Sequence, residues 1–169
     1  KMLRKQKISL EEFNRRAQAD HEIDHYIDEE LRSLRDEKDI VIDSRLGFYW
    51  IPESFKVYLD LDEDVATARI YKDAVENISR LGESGGASNI ADARRLIQKR
   101  MNDERSRFIS MYGTDPYKLD HFDLIVNTSR HSPQTVALAV FDTYQDWLRS
   151  EEWEQVVSEV PLGYSFKSI

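Results

Sequence analysis

The sequence predicts an α/β fold with a mostly parallel sheet, because short apolar runs alternate with segments of helical periodicity. Residues 39–43, 55–60 and 122–126 read as buried strands, each rich in β-branched or aromatic residues. Helical segments between and after them complete an alternation that is typical of a parallel sheet covered by helices. Ligands of such sheets bind at the carboxyl ends of the strands, so residues 43–45 and 127–129 are candidates for one shared site.

The first two helices are predicted from their caps. Ser9 and Glu12 form a capping box, which indicates a short helix to about residue 19. Asp20 can cap a second helix that runs to about residue 35. Its apolar face is expected to consist of four residues at helical spacing, namely Ile23, Ile27, Leu31 and Leu34.

Three further helices are expected. Acidic residues at 62–64 suit the first turn of a helix to about residue 79. A long helix should span about residues 89–111, and a final one should run from Ser132 to Leu148, with Pro133 at a position where its missing N–H is harmless.

The predicted elements suggest a division of the chain into four parts. We expect a core over residues 1–79, a lid over 80–108, a second core segment over 109–150 and a C-terminal extension over 151–169. The extension is acidic and aromatic, and it is a candidate surface for a partner or for self-association.

Composition narrows the function classes. The 169 residues carry a net charge of −8, which disfavours a nucleic-acid polymer as partner because its phosphates would be repelled. No apolar run approaches the roughly 18 residues of a membrane span, and the absence of cysteine excludes thiolate ligands and thiol nucleophiles. We therefore expect a cytoplasmic protein with no membrane partner.

The negative charge is unevenly distributed along the sequence. Between residues 94 and 107, six basic residues stand against two acidic ones. A compact cationic segment on an acidic protein suits a small anionic ligand better than a polymer.

Within this segment, Arg100, Glu104 and Arg107 are spaced to form one stripe on a helix. The glycine-rich residues 81–88 precede it, which favours a moving lid that carries arginines onto a ligand. The alternative is a solvated helix whose ion pairs contribute a few tenths of a kcal/mol each. A neighbouring apolar stripe, consisting of Ile97, Met101 and Phe108, should pack inward.

Asp43 and Arg45 follow the first predicted strand. In many α/β phosphotransferases such a carboxylate holds a metal ion or its water, and such a guanidinium grips a phosphate as a planar fork. The same two residues could equally be a helix cap or a surface ion pair.

Several motifs occur in order over about residues 1–148. They are the segment from Lys1 to Phe13, Asp43-Ser44-Arg45-Leu46, Lys56-Val57-Tyr58-Leu59 followed by Ala68-Arg69, Arg100-x-x-x-Glu104-x-x-Arg107, and Phe122 to Ser129 with Pro133. As a set they resemble the cytidylate kinases of the nucleoside monophosphate kinase family, in particular their short archaeal-type branch. Ser44 replaces the usual glycine of that family, and Glu104 replaces an aspartate.

The resemblance implies a three-layer fold of the P-loop NTPase type with an arginine-bearing helical lid. It also implies transfer of the γ-phosphoryl group of ATP to CMP or dCMP, with Mg²⁺ carried by the nucleotide rather than ligated directly by the protein. Arginines suit this chemistry because it consists largely of positioning and electrostatics.

The resemblance further assigns roles to individual residues. Arg45 would bind the acceptor phosphate, and Asp43 would lie near the metal and the acceptor. In the same interpretation Arg100 and Arg107 neutralise charge on the transferred phosphoryl group, with Glu104 orienting them. On the donor-nucleotide side the resemblance places Arg69, Asn127 and Thr128.

One motif of that family does not occur in the sequence. No Gly-x-x-x-x-Gly-Lys-[Ser/Thr] is found, since residues 82–86 have neither the lysine nor the spacing. In the family this loop follows the first, central strand, without which buried backbone groups would stay unpaired at about 1–3 kcal/mol each. We therefore expect residues that precede Lys1 to carry this strand and loop.

Two other functions compete with this interpretation. His21, Glu22 and His25 match the zinc-hydrolase pattern His-Glu-x-x-His, although no third ligand follows at a recognisable spacing. A relative without catalysis could instead bind a nucleotide, or a partner through the region of Trp147 and Trp153. Calorimetry with CMP beside an assay for ADP production would separate a binder from a kinase.

Overall fold

The computed structural model describes residues 22–76 and 87–160. The predicted capping box at Ser9 and Glu12 and its helix lie outside these ranges, as do Asp20 and His21. The helices are α1 (Glu22–Ser33), α2 (Gly47–Trp50), α3 (Glu63–Glu76), α4 (Ile90–Tyr112) and α5 (Pro133–Arg149), with a 3₁₀ turn at Leu119–His121. The strands are β1 (Val57–Asp60), β2 (Leu124–Asn127) and β3 (Val156–Glu159).

The chain divides into two compact units. The helical unit comprises Lys1–Ile42 and Glu63–Pro116, and the sheet unit comprises Asp43–Asp62 and Tyr117–Ile169. The predicted division into core, lid and extension stays a prediction.

The sheet unit contains a three-stranded parallel sheet in the order β1-β2-β3. Val57 pairs with Leu124, and Leu124 pairs with Val156. The predicted α/β fold with a parallel sheet flanked by helices is therefore confirmed. The predictions over 55–60 and 122–126 located β1 and β2, each shortened at its amino end.

The core of this unit lies between the sheet and α5. Leu124 and Val126 of the central strand are fully buried and pack with Val136 and Ala139 of α5. Helix α5 begins as predicted, because the Ser132 hydroxyl accepts a hydrogen bond from the Thr135 N–H and Pro133 occupies the first turn. The buried residues of α5 thus pack the helix against the hydrophobic face of β2.

Strand β3 was not predicted, and it lies in the segment that the sequence suggested as an extension. Trp153 donates a hydrogen bond from its indole N–H to the Asp123 carbonyl at 3.1 Å and packs edge-on against Phe55 at 6.2 Å between ring centroids. Trp147 also contacts Phe55, at 5.4 Å. The two tryptophans are therefore part of an aromatic cluster within the unit, which favours a packing role over a partner-binding one.

The predicted strand over residues 39–43 is wrong, since this segment has no regular structure. Asp39 adopts a left-handed backbone with φ of 57°, and Val41 is fully exposed. Isolated strands are not stable, because each needs a hydrogen-bonded neighbour. No strand in the described part of the chain pairs with this segment, and its apolar composition alone could not make it a strand.

In the helical unit, α3 and α4 pack against each other. Asn89 caps α4 by accepting a hydrogen bond from the Asp92 N–H, and Gly113 ends the helix in the left-handed conformation at φ of 69°. The bounds agree with the predicted helix over 89–111. Ala93 and Phe108 are buried, whereas Ile97 and Met101 of the predicted apolar stripe are half-buried.

Helix α1 buries a different face from the predicted one. Leu31 is buried as expected, but Ile27 is 37% exposed. The buried positions beside Leu31 are two carboxylates, Asp24 and Asp28, at 5% and 4% exposure. The two carboxylates are buried because they form an ion pair and a hydrogen bond with α4, so the buried face of α1 does not follow the apolar periodicity.

Within the described ranges, no helix is both long and apolar enough to cross a membrane.

Candidate functional site

The exposed face of α4 carries a fixed arginine. The Arg100 Nε donates a hydrogen bond to Oε1 of Glu104 at 3.0 Å, one turn along the same helix. The Arg100 side chain is 59% exposed, whereas that of Glu104 is only 17% exposed. The half-buried carboxylate therefore orients the exposed Arg100 guanidinium, and the catalytic role that the resemblance gives to Glu104 stays a prediction.

In the structure, carboxylates pair with the basic side chains of the cationic segment over residues 94–107. Each of its six basic side chains pairs with a carboxylate, and four of these carboxylates lie outside residues 94–107. Most of the pairs are exposed, and exposed pairs of this kind are weak enough to yield to an anionic ligand. The pairs are Arg94–Asp64, Arg95–Asp92, Lys99–Asp103, Arg100–Glu104, Arg105–Asp115 and Arg107–Asp24.

Arg107 differs from the other five because its pair is buried. Its Nε lies 3.8 Å from Oδ2 of Asp24 on α1, and the two side chains are 22% and 6% exposed. Arg107 also lies over the ring of Phe108, 4.8 Å from the centroid. Glu104 thus pairs with Arg100, whereas the described ion pair of Arg107 is to Asp24, and the role of Glu104 in orienting both arginines stays a prediction.

A second contact joins α1 to α4 close by. The Tyr112 hydroxyl donates a hydrogen bond to Oδ2 of Asp28 at 2.8 Å. Burial raises the pKa of the Tyr112 phenol, and the hydrogen bond and charge of Asp28 raise it further. Tyr112 therefore remains a neutral donor, and the two aspartates of α1 each engage a different residue of α4.

In the sheet unit, Asp43 and Arg45 lie in the turn before α2. The Ser44 hydroxyl accepts a hydrogen bond from the Leu46 N–H at 3.2 Å, and the buried Leu46 anchors the turn. Both Asp43 and Arg45 are exposed, and the Arg45 guanidinium lies 6.0 Å from the ring centroid of Tyr117. The turn presents a carboxylate and a guanidinium to solvent two residues apart.

The carboxyl ends of β1 and β2 are tied together by side chains. Asn127 donates to Asp62 at 3.1 Å and accepts from the Ser129 N–H at 2.9 Å. The Thr128 hydroxyl donates to the Asp60 carbonyl at 2.9 Å. Asn127 and Thr128 therefore both hold the strand ends, and their contribution to nucleotide binding stays a prediction.

Comparison with known proteins identifies the family. Residues 2–130 match the model of a family described as the cytidylate kinase-like family. The chain belongs to this family. A cytidylate kinase from Methanopyrus kandleri is 33% identical over 131 residues, which cover 74% of this chain and 64% of that protein. A cytidylate kinase from Pyrococcus horikoshii is 32% identical over 136 residues, covering 80% of this chain and 65% of that protein.

A third relative has a different name. The S-adenosylmethionine-dependent nucleotide dehydratase of Lacinutrix mariniflava is 30% identical over 139 residues, which cover 82% of this chain but 27% of that protein. The chain thus spans just under two thirds of these two kinases and about a quarter of the dehydratase. No solved structure matches the chain.

Two site predictions for this cytidylate kinase-like chain depend on residues beyond the described ranges. The glycine-rich part of the predicted lid and His21 of the zinc-hydrolase pattern lie outside them, as does the side chain of Glu22. His25 is exposed. Among the described residues, no group of three histidine, aspartate or glutamate side chains is arranged to hold a metal ion.

Asp24, Asp28 and Tyr112 are not among the candidate residues predicted from the sequence. The available signal was the spacing of Asp24, Asp28 and Leu31, which places two carboxylates on the same helical face as an apolar residue. Apolar periodicity does not mark such positions, because their residues are charged. Carboxylates at core-facing helix positions indicate buried partners, since buried charges are paired.

Proposed function

We propose that this chain supplies acceptor-binding and charge-stabilising residues of a nucleoside monophosphate kinase that transfers the γ-phosphoryl group of ATP to CMP or dCMP. Its relatives from Methanopyrus kandleri and Pyrococcus horikoshii are named cytidylate kinases. The observation that carries the proposal is the exposed Arg100 guanidinium held by Glu104, with Arg107 two turns along the same helix.

Arginines held in this way suit phosphoryl transfer. Negative charge spreads over the oxygens of the transferred group, so the reaction is accelerated chiefly by positioned cations. Glu104 restricts the Arg100 guanidinium before a nucleotide arrives, which lowers the entropy lost when it meets a phosphate. Arg107 would act on the same phosphoryl group from the following turns.

The exposed turn at Asp43 and Arg45 is proposed as the acceptor-binding part of the site. A guanidinium can bind the phosphate of CMP through two parallel hydrogen bonds. Arg45 is exposed at the end of an irregular segment, where a ligand can reach it.

Asp43 fits a position near a nucleotide-borne magnesium ion. Mg²⁺ in kinases is held by phosphates, waters and one or two carboxylates, so a dedicated protein cage is not needed. The Asp43 carboxylate is exposed and forms no hydrogen bond or ion pair with a described residue. The ion would supply charge neutralisation between the two nucleotides.

Three polar side chains are proposed for the donor nucleotide. Arg69 is exposed on α3, and we propose that it contacts the donor nucleotide with Asn127 and Thr128. These 169 residues contain no phosphate-binding loop motif, so their proposed contribution on the donor side comes from side chains and not from such a loop.

The test is a coupled assay for ADP with the full-length protein and ATP, Mg²⁺ and each of CMP, dCMP, UMP and AMP. Activity should be highest with CMP or dCMP. Arg100→Ala should abolish most of it, while Arg95→Ala, which removes another exposed arginine of α4, should leave it unchanged. An inactive protein that still gives a calorimetric binding signal with CMP would support the non-catalytic alternative instead.

A further inference from the structure

Asp24 contacts a residue that the proposed function places at the transferred phosphoryl group. The 3.8 Å between Arg107 Nε and Asp24 Oδ2 is an ion-pair distance, longer than a hydrogen bond. The Arg107 Nε is buried and finds no hydrogen-bond acceptor among the described residues. The guanidinium is thus restrained by charge, while its buried N–H is left without a hydrogen bond.

Burial makes this restraint stronger than that of the neighbouring pair. Coulombic attraction grows as the local dielectric constant falls, and an uncompensated buried carboxylate is costly. Arg100 is held within its own helix at the surface, whereas Arg107 is held by a carboxylate from α1. The position of the Arg107 guanidinium therefore depends on how α1 packs on α4.

We propose that Asp24 is a positioning residue for Arg107, an inference that rests on the proposed function. Its carboxylate holds the guanidinium before the reaction, so that Arg107 meets the developing charge without first being ordered. Loss of the Asp24 charge should lower kcat more than it changes the KM for CMP. The reason is that it disturbs the proposed contact of Arg107 with the phosphoryl group, which strengthens in the transition state.

Asp28 provides a matched control on the same helix. It lies one turn from Asp24, is buried to the same degree, and its described contact is to Tyr112 rather than Arg107. Asp24→Asn and Asp28→Asn remove the same charge from the same face of α1. Only the first should act through Arg107.

The experiment is a double-mutant cycle on the full-length enzyme, with kcat and KM measured for Asp24→Asn, Arg107→Ala and the double variant. We expect Asp24→Asn to lower kcat about 10-fold in the wild-type background and less than about 2-fold in the Arg107→Ala background. Asp28→Asn should change kcat by the same factor in both backgrounds. Equal losses from Asp24→Asn in both backgrounds would overturn the proposal.

A second measurement does not depend on activity. The Arg107 Nε–Hε NMR signal, assigned by its loss in Arg107→Ala, should exchange with solvent faster in Asp24→Asn and stay unchanged in Asp28→Asn. An unchanged exchange rate in Asp24→Asn would reject the positioning role, whereas a lack of CDP formation by the wild type would reject only the proposed function. If Asp24→Asn does not fold, Asp24→Glu, which displaces the charge by one methylene, enters both measurements with the same criteria.

Discussion

Arg107 on α4 and Asp24 on α1 form a buried ion pair, whereas Arg100, two turns earlier on α4, forms an exposed pair with Glu104. The two arginines look equivalent in sequence, as the ends of one Arg-x-x-x-Glu-x-x-Arg motif. Their different surroundings predict that substitution of each will have different consequences.

Arg100→Ala should lower kcat about 100-fold with little change in melting temperature, because an exposed pair contributes little to stability. Arg107→Ala should lower both, because it leaves the Asp24 carboxylate buried beside an empty space. Steady-state kinetics and thermal melts of the two variants would check this. Equal losses of melting temperature would mean that the burial of the Arg107 pair does not matter for stability.

Arg45→Ala should raise the KM for CMP about 10-fold or more and leave the melting temperature unchanged, since the side chain is exposed. Arg149→Ala removes another exposed arginine of the sheet unit, paired with Asp146, and serves as the control. The measurement is the dependence of initial rate on CMP concentration. An unaltered KM for CMP in Arg45→Ala would show that Arg45 does not bind the acceptor.

Tyr112→Phe should make stability less sensitive to alkali. The pKa of the Tyr112 phenol is raised by burial and by Asp28, so the folded state keeps its proton while the unfolded chain loses it near pH 10. The wild type therefore loses stability as the pH rises above about 10, and Tyr112→Phe should lose less. Urea unfolding at about pH 8 and about pH 11 measures the difference, with Tyr49→Phe, at an exposed tyrosine, as control.

Asp123→Ala should destabilise the protein by about 2–4 kcal/mol, because it removes the carboxylate that contacts both the backbone N–H and the Nζ of Lys56 at the amino ends of β1 and β2. Oδ2 of Asp123 accepts hydrogen bonds from the Lys56 N–H at 2.7 Å and pairs with its Nζ at 2.8 Å, and both side chains are 19% exposed. Asp120→Ala breaks the exposed pair with Lys118 and should leave the free energy of unfolding nearly unchanged. Urea denaturation measures both free energies of unfolding, and equal values for the two variants would contradict the prediction.

Local patterns predicted the helices well. Ser132-Pro133 and Asn89 began α5 and α4 at the expected residues, because a cap and a first turn are decided by neighbours in the chain. The predicted strand over residues 39–43 failed, and β3 was missed, because a strand exists only beside a partner that is distant in sequence. The same limit applied to α1, where Asp24 and Asp28 are buried through contacts with residues more than eighty positions away.

By itself, the sequence determined the alternation of helices and strands, the stripe of Arg100, Glu104 and Arg107, and the motifs that identify the family. These depend on spacing along the chain, which a helix or strand converts directly into a shared face. Only the tertiary structure decided the partners of Arg94, Arg105 and Arg107, since their carboxylates lie outside α4. Arg107 pairs with Asp24 because both are buried, and a charge removed from water needs a partner nearby.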